Sequence, residues 1–137
     1  METSEVFVDT ALVIALLLEN DQHHVKAWST LLGIHSRVKL VTTRAICLEI
    51  GSSLARPRHR AQAVAMLASI EEDPRFEVVP LTEDLYSDGM TLFSSRADKA
   101  WSLTDCLSFV VMRRRGITSA LTTDQHFRQA GFEALLA

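Results

Sequence analysis

Short apolar runs alternate with longer helical segments along almost the whole chain, and this alternation constrains the fold more than any other feature. The runs are rich in β-branched residues and are followed by segments whose apolar residues recur at helical spacing. The expected strands are 5–8, 37–42, 76–81 and 119–123, with a further edge strand at 132–136. Strands that alternate with helices form a mostly parallel sheet covered on both faces. The sequence therefore predicts an α/β three-layer sandwich with a central sheet of four to five strands.

Length and composition favour one globular domain over residues 1–137. The chain is 47% hydrophobic and 23% charged, which suits a buried core and excludes a disordered chain. The net charge is -3, so only a local basic patch could attract nucleic acid. Cys47 and Cys106 lie inside apolar helical patterns and are expected to be reduced thiols. With no signal peptide and no apolar run long enough for a bilayer, we expect a cytoplasmic protein without membrane contact.

One helix and strand near the C-terminus are bracketed by two carboxylates. Thr104 is expected to cap a helix with Asp105 in its first turn, where a carboxylate suits the positive end of the helix dipole. Gly116 is expected to end the helix, and the next strand places Asp124 at its carboxyl end. Either acid alone is explained equally well as a capping residue. This edge of an open α/β sheet, however, usually carries the chemistry.

Two further acids are candidates for the same cleft, although a glutamate such as Glu49 is, taken alone, more often a solvated helix residue. Asp9 directly follows the apolar residues of the first strand, and Glu49 borders the buried stripe of the third helix. Two carboxylates about 5 Å apart repel by roughly 3 kcal/mol at an effective dielectric near 20, so a cleft with four acids favours raised pKa values or a bound cation. An all-oxygen ligand set favours Mg²⁺ or Mn²⁺. Water bound to such an ion can attack a phosphodiester, so the acids predict cleavage of nucleic acid.

The runs 6–10, 98–106 and 121–132, together with Glu49, resemble a known family. They are similar to PIN-domain ribonucleases, and most of all to the VapC-like toxins of prokaryotic toxin-antitoxin pairs. The resemblance extends over essentially the whole chain. It implies a PIN-like sandwich fold and a Mg²⁺- or Mn²⁺-dependent endoribonuclease that hydrolyses RNA phosphodiesters. The partners it implies are an RNA substrate, a cognate antitoxin protein and a second copy in a homodimer.

The resemblance also assigns roles to residues. The matching positions are the catalytic acids Asp9, Glu49, Asp105 and Asp124 and the supporting hydroxyls Thr10 and Thr104. Asp9 and Asp105 are expected to bind the metal directly, and Asp124 directly or through water. Glu49 is expected to orient or deprotonate the attacking water.

Basic residues are the expected contacts to RNA phosphates, although a structural explanation competes. Arginines at 113–115 suit the C-terminal end of a helix through its dipole. The same residues could instead bind phosphates. The candidates for phosphate binding are Arg96, Lys99, Arg113, Arg114 and Arg115, and Arg56, Arg58 and Arg60 could join them.

Three other residues have simpler explanations than chemistry. His126 is expected to pack or to cap a helix near Asp124, and Cys106 lacks a histidine partner and is expected in the core. Trp28 shares one face of the second helix with Val25 and two leucines, Leu31 and Leu32, and is expected in the core, with any surplus apolar surface serving a homodimer.

Two other classes of function stay open beside a nuclease. One is a non-catalytic α/β module that binds RNA or protein. The other is a phosphotransfer-type α/β domain, which also uses aspartates at strand ends. Such domains usually have a second acid close to the first, whereas Asp9 is followed by Thr10 and Ala11.

Overall fold

A five-stranded parallel sheet forms the centre of the protein. The computed structural model describes residues 4–137; residues 1–3, which the single-domain prediction includes, lie outside the described part. The strands are β1 (Glu5–Val8), β2 (Lys39–Thr43), β3 (Phe76–Val79), β4 (Ser119–Leu121) and β5 (Glu133–Ala134). Their order is β3-β2-β1-β4-β5, and every pairing is parallel. The predicted α/β class is confirmed.

Seven helices flank this sheet within residues 4–137. They are α1 (Thr10–Leu17), α2 (His24–Gly33), α3 (Arg44–Ser53), α4 (Pro57–Glu72), α5 (Glu83–Ser95), α6 (Leu103–Arg115) and α7 (Gln125–Gln129). The chain builds outwards from β1 to β3 and then returns to the other side of β1 for β4 and β5. The strand order therefore reverses between β1 and β4, and open α/β sheets bind ligands at the carboxyl edge beside such a point.

The core consists of two apolar layers, one on each face of the sheet. Alternate strand residues point to opposite faces. Phe7, Val41 and Ala120 are buried in one layer, and Val8, Leu40 and Leu121 in the other. The first layer includes Phe109 of α6, whose ring meets Trp101 and Phe127 edge-on at centroid distances of 5.1 and 4.9 Å. The sheet therefore lies between helices, as the sequence predicts.

Helix α2 departs from its prediction. It spans His24–Gly33, whereas the sequence predicts a helix from residue 21 to about residue 36, and it buries Ala27 instead of its large apolar residues. Val25 and Leu32 are 78% and 77% exposed, and Trp28 is 41% exposed. The Trp28 indole Nε1 donates to the Leu16 carbonyl at 3.1 Å, which fixes the rotation of α2 against α1. The prediction that Trp28 lies in the core is therefore wrong.

The start of α6 also differs from its prediction. The N-cap is Ser102 and not Thr104. The Ser102 Oγ accepts from the Asp105 N–H at 3.0 Å, and the Asp105 Oδ2 accepts from the Ser102 N–H at 3.2 Å. This reciprocal pair is a capping box, which requires the acid three residues after the cap. The box holds the Asp105 side chain at the head of the helix.

Loss of this cap has a measurable cost. Ser102→Ala is expected to lower the free energy of unfolding by about 1 kcal/mol, because the Asp105 N–H loses its acceptor. Urea unfolding measures this change. Ser102→Thr keeps the hydroxyl and is expected to stay close to wild type. Equal losses in both variants would show that the serine hydroxyl does not cap α6.

No helix among residues 4–137 combines the length and the apolar character that crossing a bilayer requires.

Candidate active site

Four elements bring the predicted acids to the carboxyl edge of the sheet. Asp9 follows β1 at the start of α1, and Asp124 follows β4 at the start of α7. The backbone N–H of Asp9 donates to the carbonyl of Leu121 at 3.4 Å, so the ends of these two adjacent strands meet. Asp105 occupies the first turn of α6, and Glu49 lies in the second half of α3. The negative charges of Asp105 and Glu49 both act on Asp9.

The carboxyl of Asp9 is the most deeply buried of the four. Its residue is 6% exposed, and this burial is the main reason why its pKa rises to about 7. The hydroxyl of Thr122 opposes the rise by donating to Asp9 Oδ2 at 2.7 Å. The charges of Asp105 and Glu49 add to the rise. A buried acid of this kind holds its proton near neutral pH. A bound cation could take the place of that proton.

Thr122 links the two strand ends and was missed by sequence reasoning. Besides donating to Asp9, its Oγ1 accepts from the backbone N–H of Asp124 at 3.0 Å. The residue is fully buried at the end of β4. Its only signal in the sequence is a hydroxyl two residues before an acid. The bond to Asp9, which is 113 residues away, requires the fold to be known.

His126 also lies inside the acidic cluster. Its Nδ1 is 3.1 Å from Asp105 Oδ2 and 3.2 Å from Asp124 Oδ1. The prediction places His126 at the helix cap near Asp124 but does not include its contact with Asp105, through which the ring bridges two of the predicted metal-binding acids. Burial raises the pKa of Asp105, and the neighbouring Asp124 raises it further, whereas the contacts with Ser102 and His126 lower it. A histidine two residues after a strand-end acid is the signal that could have found this contact.

Comparison with known proteins identifies the family of this fold. Residues 6–133 match the sequence profile of the PIN domain. The chain belongs to the PIN-domain family. PIN domains are divalent-metal-dependent nucleases. This membership confirms the resemblance noted in the sequence and does not support the phosphotransfer-type alternative.

The relatives of this PIN domain include a characterised toxin. The 23S rRNA-specific endonuclease VapC20 of Mycobacterium tuberculosis is 29% identical over 130 residues, which are 93% of this chain and 95% of the relative. The crystal structure of VapC20, a sarcin-ricin loop cleaving toxin, superposes with a TM-score of 0.84 at 28% identity and covers 93% of this chain and 95% of that one.

Two more distant structures share the fold. FitAcB from Neisseria gonorrhoeae has a TM-score of 0.66 at 16% identity and covers 94% of both chains. VapBC2 from Rickettsia felis, bound to a DNA fragment from its promoter, has a TM-score of 0.64 at 10% identity and covers 95% of this chain and 96% of that one.

The donor set of this PIN domain fits a divalent cation. Asp105, Asp124 and His126 each offer a ligand atom, and these atoms lie within 4.8 Å of one another. Asp9 is outside this compact group but adds a buried carboxyl close enough for the charge of Asp105 to raise its pKa. Carboxylate oxygens are the ligands that hard divalent ions prefer. The fourth predicted acid, Glu49, accepts a hydrogen bond from a neighbouring residue on α1.

That residue is Thr10, whose Oγ1 donates to Glu49 Oε1. Thr10 is buried at the start of α1, so its hydroxyl fixes the Glu49 side chain from the side of the sheet. Thr104, the other hydroxyl predicted to support the acids, is half-buried. It lines a groove with Glu49, Ser52 and Tyr86 and lies on the wall formed by α6.

The contact between Thr10 and Glu49 can be tested directly. Thr10→Val is expected to lower RNA cleavage by about 10-fold, because Glu49 loses the hydrogen bond that orients it. Thr10→Ser keeps the donor and is expected to stay near wild type. The single-turnover rate at saturating metal measures the effect. If both variants cleave equally well, the hydroxyl does not position Glu49 for the reaction.

The predicted phosphate-binding arginines of α6 are occupied within the fold. Arg114 Nη2 pairs with Asp84 Oδ2 at 2.9 Å and also with Asp88. Arg115 pairs with Glu5 and Glu77, each at 2.6 Å. Arg115 also lies ten residues after Asp105 on α6, which is about 15 Å along the helix. Two of the three arginines are therefore engaged in ion pairs within the fold, at the end of α6 that lies away from the acids.

The other predicted basic contacts have different surroundings. The guanidinium of Arg113 lies 6.0 Å from the centre of the Phe132 ring. Arg96 pairs with Asp98 at 3.0 Å and lies 5.0 Å from the centre of the Trp101 ring. Lys99 forms no ion pair with a carboxylate of the described residues. Contact of these side chains with RNA stays a prediction.

Proposed function

We propose that this chain, acting as a single PIN domain, is a divalent-metal-dependent endoribonuclease and the toxin of a toxin-antitoxin pair. The observation that carries the proposal is the convergence of Asp9, Asp105 and Asp124 at the switch point of a PIN fold. The similarity to VapC20, a 23S rRNA-specific endonuclease, along nearly its whole length supports RNA as the substrate and ribosomal RNA as its class.

We assign a different role to each residue of the site. Asp9, Asp105 and Asp124 would hold Mg²⁺ or Mn²⁺, and the bound ion would supply a nucleophilic water and charge stabilisation at the phosphate. Thr122 holds the Asp9 carboxyl in place through its 2.7 Å hydrogen bond. Glu49 receives the Thr10 hydroxyl on Oε1, which leaves Oε2 to accept a proton from the attacking water. His126 holds the carboxyls of Asp105 and Asp124 together from the side of α7.

A cleavage assay tests the proposed activity. The purified chain is incubated with ribosomal RNA and with a synthetic RNA hairpin in Mg²⁺, in Mn²⁺ and in EDTA. We expect cleavage at discrete positions in either metal and none in EDTA, because the acids alone cannot stabilise the charge that develops on the phosphate. RNA that binds but stays intact in both metals would support the non-catalytic binding module instead.

We also propose that the chain forms a homodimer through α3 and α5. Tyr86, Met90 and Phe93 lie at helical spacing on α5 and are 47%, 37% and 43% exposed, and Leu48 of α3 is 62% exposed. Leu48 and Tyr86 also line the groove that contains Glu49, so this interface would border that groove. Exposed apolar residues grouped in this way mark interaction surfaces. This surface differs from the one near Trp28 that the sequence suggested. Light scattering that gives the mass of a monomer would contradict the proposal.

The antitoxin is proposed to bind elsewhere on the protein. Helix α2 exposes a separate apolar face that consists of Val25, Trp28 and Leu32. This face supports a second apolar contact that does not compete with the dimer. Co-expression with the product of a neighbouring small gene tests it: the pair should purify together, and Leu32→Glu should weaken the association.

A further inference from the structure

The beginning of α4 carries a group of cations that helix stability does not explain. Arg56 is the N-cap residue, and Arg58 and Arg60 follow in and just after the first turn. All three side chains are exposed. The positive end of the helix dipole lies at this position, so cations are unfavourable here. The arginines at the end of α6 occupy the opposite and favourable end of their helix.

Ion pairing does not explain Arg56 and Arg58 either. Neither residue pairs with a carboxylate among residues 4–137, whereas Arg114 and Arg115 each pair with two. Arg60 differs from its neighbours, because its Nε and Nη2 donate to the Ala55 carbonyl at 3.0 and 2.6 Å. Arg60 therefore has a structural role in the turn, and Arg56 and Arg58 are left facing solvent.

The two arginines follow, along the chain, the helix that contributes the proposed catalytic acid Glu49 to the groove. Glu49 and Ser52 of α3 line this groove opposite Thr104. Helix α3 ends at Ser53, and Arg56 follows after a short turn. The rise of a helix and the reach of an extended chain limit the distance between the Cα atoms of Glu49 and Arg56 to at most about 16 Å. RNA that leaves the groove along α3 would therefore reach this turn within a few nucleotides.

We propose that Arg56 and Arg58 bind backbone phosphates of the RNA that flank the cleavage site. The inference rests on the proposed ribonuclease function. The acids repel a polyanion and the chain carries a net charge of -3, so RNA binding requires a local cationic contact. Guanidinium groups bind phosphate oxygens through two parallel hydrogen bonds. Such contacts fix the register of the nucleic acid without reading its sequence.

The salt dependence of RNA binding tests this role. Binding of a fluorescein-labelled RNA hairpin is followed by anisotropy in EDTA, so that the RNA stays intact, over a series of KCl concentrations. For the double variant Arg56→Gln, Arg58→Gln we expect the slope of log K against log salt to become shallower by about 1.4 to 1.8, as the loss of two phosphate contacts predicts. Arg56→Lys, Arg58→Lys keeps both charges and should keep most of the slope.

A matched control separates a local contact from net charge. Lys26→Gln, Arg37→Gln removes the same charge from exposed positions on α2 and in the turn before β2, and is expected to leave the slope nearly unchanged. Equal changes in the two double variants, or an unchanged slope in the first, would overturn the proposal. So would a lower melting temperature in the Arg56, Arg58 variant, because it would reveal a structural role.

Failure of the ribonuclease function gives a different result. In that case the wild-type chain does not cleave RNA in Mn²⁺, whatever the salt slopes are. A changed slope without cleavage would support the phosphate contact and reject the catalytic proposal. Cleavage with an unchanged slope would support the catalytic proposal and reject the phosphate contact.

Discussion

Replacement of Asp105 by Asn is expected to lower metal-dependent RNA cleavage by at least about 100-fold. The substitution removes the negative charge of a proposed metal ligand at the centre of the acidic cluster. The fold should tolerate it, because the amide oxygen of Asn can still accept from the Ser102 N–H and complete the capping box. The single-turnover cleavage rate in Mn²⁺ and the melting temperature in EDTA measure the two effects separately.

Asp98→Asn provides the matched control for this experiment. Asp98 lies in the loop before α6, is exposed, and pairs only with Arg96 among the described residues. Its variant should cleave RNA at close to the wild-type rate. If Asp105→Asn also retains nearly full activity, the proposed metal site is wrong.

Asp9→Asn is expected to stabilise the metal-free protein. Burial raises the pKa of Asp9 from 3.8 to about 7, so between these values the folded protein holds a proton that the unfolded chain has lost. The free energy of unfolding of the wild type therefore falls as the pH rises through this range. Asn carries no charge at any pH. Above pH 7 the variant should be more stable by on the order of 2–4 kcal/mol, and the difference should shrink towards pH 4.

Urea unfolding in EDTA at several pH values measures this difference. Asp98→Asn is again the control, since Arg96 lowers the pKa of Asp98 and its loss should stabilise nothing. A stability gain for Asp9→Asn that does not vary with pH would contradict the explanation by charge burial, as would a loss of stability above pH 7.

The expected effects of Asp9→Asn on stability and on activity have opposite signs. Removal of the charge at Asp9 is expected to increase stability without metal and to abolish activity, since the same buried carboxyl is a proposed ligand. A site that destabilises the fold in this way is typical of functional residues, whose properties serve chemistry at the cost of stability. For an acid with a purely structural capping role, removal of the charge would instead lower stability and leave activity unchanged.

The sequence predicts the fold, and also predicts that the acids of β1 and β4 lie near each other, for physical reasons. Each strand is a short β-branched run, and parallel strands end at one edge, so an acid after β1 and another after β4 must lie near each other. Asp9 is the clearest case, because an acid directly after buried strand residues has few structural explanations. The predicted N-cap of α6 lies two residues too late in the sequence. Both Ser102 and Thr104 can cap a helix, and only the reciprocal bond with Asp105 selects between them.

Contacts between distant parts of the chain were beyond sequence reasoning. Helical periodicity predicts which residues of α2 share a face, but what covers that face depends on the packing of α2 against α1, which leaves Val25 and Leu32 exposed. The partners of Arg115 are Glu5 and Glu77, which are 110 and 38 residues away. The placement of His126 between two acids likewise depends on how α7 meets α6.

The binding of Mn²⁺ tests the central claim most directly, and calorimetric titration measures it for the wild type, Asp105→Asn and Asp98→Asn. We predict that the wild type and Asp98→Asn bind Mn²⁺ alike and release protons just below pH 7, because Asp9 must lose its proton to bind. Asp105→Asn should bind at least about 10-fold more weakly. Absence of Mn²⁺ binding to the wild type, or equal affinity in Asp105→Asn, would contradict a metal site built from these acids.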